Sequence, residues 1–249
     1  MRRFYIAKDQ ITGNAAEISG MEARHIRTVL RMQPGDLLEL VDDSGYAYKA
    51  LIRSVAGDCI QASILSKYCT GSEPEMQMTI ALGFLKDKKM DTLVRHLTEL
   101  GMSRFLPVRT ARSIARPPEK RLHSRLQRWE SIATEAVKQS RRDRIPEIAR
   151  PAAFAEALAI GQKADAGIIF WEQASQPLDM AVRPMQGASE IFVLLGPEGG
   201  FAESEAQEAA AAGLVPVSMG PRILRAETAA ITACALLQFL LGDLGEKSP

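Results

Sequence analysis

The sequence predicts an α/β protein in which a small β-rich domain precedes a larger domain built on a parallel sheet. Three observations predict it. The first 70 residues read mostly as short strands broken by turn chemistry, and Gly, Ser and Pro then cluster without apolar period over residues 71–75. From residue 76 onward, apolar strand-like runs alternate with helical periods. A length of 249 residues suits one large domain or two modest ones, and 46% hydrophobic with 24% charged residues argues against disorder or a fibrous architecture.

Strands are expected at residues 2–7, 36–41, 46–54 and 60–66, separated by Gln33-Pro34-Gly35, Asp42-Asp43-Ser44-Gly45 and Ala56-Gly57-Asp58. Residues 20–32 read as one helix. Met21, Ile26, Val29 and Leu30 make its apolar side, while Arg24, Arg27 and Arg31 recur at spacings of three and four on another. A small β-barrel carrying an arginine-lined helix is therefore expected over residues 1–70, then a linker at 71–75. Beyond it, residues 76–85, 103–108, 167–171, 191–195 and 214–219 read as strands, and residues 88–100, 151–160, 202–212 and 226–241 as helices. Pro118 opens a long helix whose buried stripe is Leu122, Leu126, Trp129, Ile132, Ala133 and Val137, with Lys120, Arg121, Arg125 and Arg128 outward. Apolar strands alternating with helices imply a parallel sheet covered on both faces.

Net charge is +1, from 31 basic and 30 acidic residues, yet the segments differ. Residues 1–72 carry 9 basic and 8 acidic, 73–85 carry 0 and 2, 86–150 carry 17 and 8, and 151–249 carry 5 and 12. A basic middle joined to an acidic C-terminal third points to a polyanionic partner or to a solvated helix face. Cys59, Cys69 and Cys234 are too scattered for a disulfide framework, and with His25, His96 and His123 equally dispersed no metal site is expected. The basic N-terminus leads into no apolar signal region, and the apolar stretch 229–241, interrupted by Thr232 and Gln238, is short of the roughly 20 residues a membrane span needs. A cytoplasmic protein without membrane contact is expected.

Two glycine-containing turns follow buried strands in the C-terminal third: Gly196-Pro197-Glu198-Gly199-Gly200-Phe201, and Gly220-Pro221-Arg222-Ile223-Leu224-Arg225-Ala226-Glu227-Thr228. Ligands of open parallel sheets bind outside the carboxyl ends of the strands, so these turns are natural walls of one pocket. Glycines there let the backbone approach a ligand without an intervening Cβ. No G-x-G-x-x-G, Walker A or G-x-S-x-G pattern occurs, which disfavours a conventional Rossmann dehydrogenase, a P-loop NTPase and an α/β-hydrolase.

The paired turns resemble the signature of the RsmE family, small-subunit ribosomal RNA uridine-N3 methyltransferases of the SPOUT superfamily. The resemblance extends upstream to Arg24-His25, Val29-Leu30-Arg31, Pro34-Gly35-Asp36, Thr98-Glu99-Leu100-Gly101, Phe105-Leu106-Pro107 and Arg142 with Ile145-Pro146-Glu147, and so covers nearly the whole chain. Two places depart from the family pattern. Lys138-Gln139-Ser140-Arg141-Arg142 stands where the family has Glu-Gln-x-Gly-Arg, and Arg95-His96 where it has Gln-Lys.

The resemblance implies a PUA-like RNA-binding β-barrel at residues 1–70 and a SPOUT-type trefoil-knotted parallel-sheet domain at 76–249, acting as a homodimer on 16S ribosomal RNA or the small ribosomal subunit. It implies S-adenosylmethionine as cofactor and N3 of uridine 1498 as the methylated atom. By position, Leu195, Gly196, Pro197, Glu198, Gly200, Met219, Gly220, Ile223 and Leu224 would line the cofactor pocket, with Trp171-Glu172 a candidate for its far wall. Uracil N3 must lose its proton before it attacks, so a fixed cation near N3 would favour the reactive anion. Arg225 is the first candidate, or else a phosphate clamp or cap partner. Glu227 would pair Arg225, accept the proton, or serve as a helix N-terminal carboxylate. Arg2, Arg3, Arg24, Arg27, Arg31, Lys86, Lys88, Lys89, Arg141, Arg142 and Arg144 are the candidate RNA-facing cations. Two other readings stand beside this one: a superfamily member acting on a ribose oxygen or another base, and a non-catalytic RNA-binding protein.

Overall fold

The computed structural model describes residues 1–42, 45–86, 89–113 and 118–245. They fall into two compact units, Met1–Glu73 with Val137–Ile145, and Pro74–Ala136 with Pro146–Pro249.

The first unit holds six strands, β1 (Arg2–Tyr5), β2 (Ile11–Thr12), β3 (Ala15–Ser19), β4 (Leu37–Val41), β5 (Tyr46–Ala56) and β6 (Cys59–Cys69). They run in the sheet order β1-β4-β5-β6-β3-β2, with β1 parallel to β4 and the other pairs antiparallel. Alternation along the strands drives one face inward: Leu38 and Leu40 join Phe4, Ile18, Ile52 and Ile60 in a closed apolar core. The β2–β3 hairpin was not among the expected strands, because alanine is a poor strand former and Ala15-Ala16-Glu17 carries little signal.

The expected helix over residues 20–32 is shorter and turns differently. Helix α1 (Gly20–Arg24) widens into a π-helical turn at His25–Val29, where Leu30 N–H reaches the His25 carbonyl at 3.0 Å. Ala23 and Ile26 are buried while Met21 and Val29, expected inside, are exposed, and the five-residue step after His25 rotates Val29 off the apolar side. The turn ends at Arg31, which has φ 51°.

Residues 137–145 are held to the strands of this unit by a polar network. The Arg3 guanidinium pairs with the Glu39 carboxylate and with Asp143 Oδ1 at 3.1 Å, and donates to the Arg142 carbonyl at 3.3 Å. Arg142 Nη2 meets Glu73 Oε2 at 2.8 Å, while Glu73 Oε1 accepts the backbone N–H groups of Asp143 and Arg144 at 2.7 and 3.0 Å. Tyr5 donates to the Arg142 carbonyl and Thr70 to Asp143. Burial would raise the Glu39 carboxyl, but hydrogen bonds from Tyr68 and Arg3 outweigh it and hold it below its ordinary value. That contribution is present above the ordinary carboxylate range and is lost as pH falls through the lowered value.

Arg3 and Arg142, expected to face RNA, are instead internal counter-ions, their side chains 11% and 5% exposed. Each has carboxylates within reach that are themselves withdrawn from water, so neither guanidinium is available to a phosphate. Lys138, where the related pattern has a glutamate, places Nζ 2.5 Å from Glu22 Oε1. Arg141 stands at the glycine of that pattern and has φ 62°, a conformation that costs a residue with a Cβ about 1–2 kcal/mol.

The second unit is built from β7 (Gln77–Gly83), α2 (Lys89–Glu99), β8 (Arg104–Arg109), α3 (Glu119–Ser140, whose last four residues group with the first unit), β9 (Glu147–Ile148), β10 (Ala152–Ala153), α4 (Phe154–Gly161), β11 (Ala166–Phe170), α5 (Leu178–Ala181), β12 (Glu190–Leu195), α6 (Glu203–Ala211), β13 (Val215–Val217) and α7 (Ala226–Leu241). The sheet runs β10-β8-β7-β12-β11-β13, with β9 beside β8, and every pair is parallel. Residues 191–195 are buried without a break, as a strand covered on both faces must be. Phe192 and Leu194 pack with Leu158, Ala206 and Ala209 of α4 and α6, and α7 packs against β12 and α2. Within α3, Trp129, Ala133 and Val137 are buried as expected, and Ala136 joins them. Asp91 of α2 accepts from Trp129 Nε1 at 3.0 Å and pairs with Arg128. Among the described residues no helix is long and apolar enough to cross a membrane.

Breaking a buried ion pair from one side strands the other charge, at about 3–5 kcal/mol. Arg142→Met is therefore expected to lower the unfolding free energy by about 3 kcal/mol on that scale, read by urea denaturation, and a loss under about 1 kcal/mol would show the pair to be dispensable.

Candidate functional site

Parallel register brings four strand ends to one edge: Leu195 lies beside Leu82 and Phe170, and Phe170 beside Val217. The segments leaving β11, β12 and β13 enclose a cavity of about 590 Å³. All nine residues expected around a cofactor are on its wall: Leu195, Gly196, Pro197, Glu198 and Gly200 from the first turn, and Met219, Gly220, Ile223 and Leu224 from the second. Trp171 and Glu172 close the far side. Arg222 of the second turn also lines it, as do Phe170, Ser218 and Ala229, which lie outside the two turns.

The first turn is held by close approach. A Cβ on Gly83 would lie 2.6 Å from Pro197 Cδ and 2.7 Å from its backbone nitrogen, so the end of β7 can touch the turn only as glycine. Gly200 has φ 65°, and its missing Cβ leaves room for the Glu172 carboxylate. Arg112 Nη1 donates to the Gly199 carbonyl at 3.2 Å. The Trp171 indole N–H is buried with no hydrogen-bond partner among the described residues, an unusual donor to leave on a cavity wall.

Lys89 joins the wall residue Glu198 to a second carboxylate. Glu198 Oε1 accepts from the Lys86 backbone N–H at 3.1 Å and from Lys89 Nζ at 3.2 Å, and the same ammonium lies 3.3 Å from Glu227 Oε2. Partial burial would raise the Glu198 carboxyl, but the Lys86 N–H and the Lys89 ammonium hold it below its ordinary value. Reciprocally, the hydrogen bond to Glu198 raises the Lys89 ammonium despite its desolvation. Lys89, expected to face RNA, is thus the counter-ion of two carboxylates, and Glu227 pairs with it and not with Arg225.

Arg225 is the N-cap residue of α7, with φ −64° and ψ 149°, and is exposed. It is not on the cavity wall, although its neighbours Leu224 and Ala226 are. Of the other expected RNA contacts, Arg2, Arg24, Arg31, Arg141 and Arg144 are exposed on the first unit and Lys86 on the second. Arg27 is drawn to Asp58 at 3.2 Å and to the Gly57 carbonyl. Lys88 lies outside the described residues.

Gly83→Ala must push Pro197 out of place, and overpacking of this kind costs about 1–3 kcal/mol. The variant is expected to lose stability in that range and to open the first turn, measurable as faster amide hydrogen exchange at residues 198–201; unchanged exchange there would show the contact to be incidental.

Models of two known domain families match the chain: an RNA methyltransferase domain over residues 72–238 and an RNA methyltransferase PUA domain over residues 18–65. The ribosomal RNA small subunit methyltransferase E of Bacillus subtilis is 30% identical over 247 residues, covering 96% of each chain. The enzyme of the same name from Neisseria gonorrhoeae, solved bound to S-adenosyl methionine, is 31% identical with a TM-score of 0.86, covering 98% of this chain and 99% of that one. A Legionella pneumophila structure in complex with the cofactor SAM is 28% identical, also with a TM-score of 0.86, over 97% of this chain and 98% of that one. A match to the methyltransferase domain across more than half the chain, and relatives of one name along nearly all of it, lead to one conclusion: the chain belongs to the ribosomal RNA small subunit methyltransferase E family.

Proposed function

We propose that this protein uses S-adenosylmethionine to methylate N3 of one uridine in the 16S ribosomal RNA of the small subunit. The observation that carries the reading is the cavity at the carboxyl edge of the parallel sheet, walled by both glycine turns. Its volume is within the range of cofactor sites, and its chemistry suits the group. Leu195, Met219, Ile223 and Leu224 offer apolar surface to a base, the turns bring backbone N–H and C=O groups close, and Glu198 and Glu172 supply negative charge. When bound, the cofactor supplies a methyl group on a sulfonium. The chain's own task is to hold the acceptor nitrogen in line and keep water out, which converts an encounter into a positioned displacement.

In this reading residues 1–70 are the PUA-like RNA-binding domain and residues 76–249 the catalytic domain, whose turns at 196–201 and 218–225 are the walls of the expected trefoil knot. Glu227 is assigned as acceptor of the N3 proton, since it follows the wall residue Ala226 and its carboxylate is paired with Lys89. Arg225, exposed beside the wall, is assigned to the uracil oxygens or a flanking phosphate. A homodimer and a cytoplasmic location belong to the same reading, and the exposed Leu236 and Phe239 on α7 support a subunit contact.

The decisive assay is methylation of 16S RNA lacking its own modification, read by nucleoside mass spectrometry. Product at uracil N3 is expected, and product at a ribose oxygen or another base overturns the assignment. Arg225→Ala is expected to cut turnover about 100-fold, within the range found for removing one preorganised charge-stabilising donor, with little loss of cofactor affinity.

Exposed Arg141 offers a separate test of the RNA face. Arg141→Gly relieves a strained backbone and should stabilise the protein by up to about 1 kcal/mol while weakening RNA binding, with a salt slope smaller by about one phosphate contact. Equal affinity and slope in filter binding would remove Arg141 from the interface.

A further inference from the structure

Lys89 breaks a local rule. It occupies the first turn of α2, where the helix dipole disfavours a cation, and its side chain is about one-third exposed. A residue placed against local preference is usually compensated by a tertiary interaction, and here there are two. Its Nζ lies 3.2 Å from Glu198 Oε1, in the turn after β12, and 3.3 Å from Glu227 Oε2, in the first turn of α7 directly after the second glycine turn. One ammonium therefore links Glu198, on the first wall, to Glu227, the residue after Ala226 of the second.

The walls need such a tie unequally. The first turn is fixed by Pro197 against Gly83, by Arg112 on the Gly199 carbonyl and by Glu172 against Gly200. The second is held where it leaves β13, by Ser218 N–H on the Gln176 carbonyl at 2.9 Å and Gly220 N–H on Ser218 Oγ at 3.2 Å, but a Cβ on Gly220 would meet nothing within 4 Å and Ile223 is 88% exposed. Glu227 Oε2 is buried, and the Lys89 ammonium 3.3 Å away is the counter-charge that faces it. Unlike a salt bridge between two mobile side chains on a surface, this contact joins a loosely held segment to an already fixed one.

We propose that Lys89 is a positioning residue that fastens the second cavity wall to the first through Glu227 and Glu198, holding the cavity in its ligand-competent shape. This rests on the assignment of the cavity to S-adenosylmethionine. Without the ammonium, two carboxylates face each other uncompensated, the start of α7 moves away from Glu198, and the cavity opens. Among the described residues, the groups that meet at the contact are the Lys86 N–H and Lys89 from the α2 side, Glu198 from the turn after β12, and Glu227 from α7.

Calorimetric titration with S-adenosylmethionine tests it on wild type, Lys89→Met, Lys89→Arg, Glu227→Gln and the Lys89→Met/Glu227→Gln pair, with thermal unfolding as a check on folding. Lys89→Met is expected to weaken binding about tenfold, and Lys89→Arg, which keeps the charge, to restore it to within about threefold. Because both changes cut the same tie, the double variant should bind no more weakly than Lys89→Met. Unchanged binding in Lys89→Met, no rescue by arginine, or losses that multiply in the double variant would each overturn the proposal while leaving the cofactor assignment intact. A wild-type chain that fails to bind the cofactor overturns both.

Discussion

Parallel pairing of β12 with β7 on one side and β11 on the other sets where a ligand can sit. In a parallel sheet every strand delivers its carboxyl end to the same edge, so the chain must leave β11, β12 and β13 together and return over the sheet. The residues that follow those strands then share one volume without any further instruction. What the sequence must add is a way for them to come close enough, and Gly83, Gly196 and Gly200 supply it. Each is a place where a Cβ would lie within about 3 Å of a neighbouring backbone or side-chain atom, by the contact distances they show.

That edge was legible before the structure because two kinds of signal coincide there. Ile191-Phe192-Val193-Leu194-Leu195 is an uninterrupted apolar run, and glycine punctuation follows it at once. The last helix was equally plain, residues 226–241, since a long alanine- and leucine-rich segment after a turn has no competing reading. Elements whose stability comes from packing, and not from their own composition, were not legible. The Ala15–Ser19 strand exists because β6 pairs with it, and the π turn at His25–Val29 exists because Ile26 has a core to enter. An α-helical template cannot anticipate a step of five.

Charge was the least legible property, for a physical reason. A lysine or arginine in a sequence shows its sign but not its counter-ion, and ion pairs join residues far apart in the chain. Arg3 and Asp143 are separated by 140 positions and Lys89 and Glu198 by 109. Counting cations therefore marked Arg3, Lys89 and Arg142 as nucleic-acid contacts, when each is committed to carboxylates of its own unit. Their effect is organisational: Arg3 and Arg142 hold residues 137–145 on the first unit, and Lys89 links Glu198 to Glu227 on the second.

The cations that remain exposed are placed by the ones that do not. Arg141 and Arg144 flank the Arg142–Asp143 pair, and their backbone groups are fixed by it: the Arg141 carbonyl accepts from Arg3 and the Arg144 N–H donates to Glu73. A guanidinium on a pinned backbone has less freedom to lose on meeting a phosphate than one on a loose loop, which is why the proposed RNA contacts of Arg141 and Arg144 depend on the buried residues between them. The left-handed backbone of Arg141 fits the same account. Glycine would relax it, and the side chain that carries this conformational cost is exposed, where the proposed RNA contact places it.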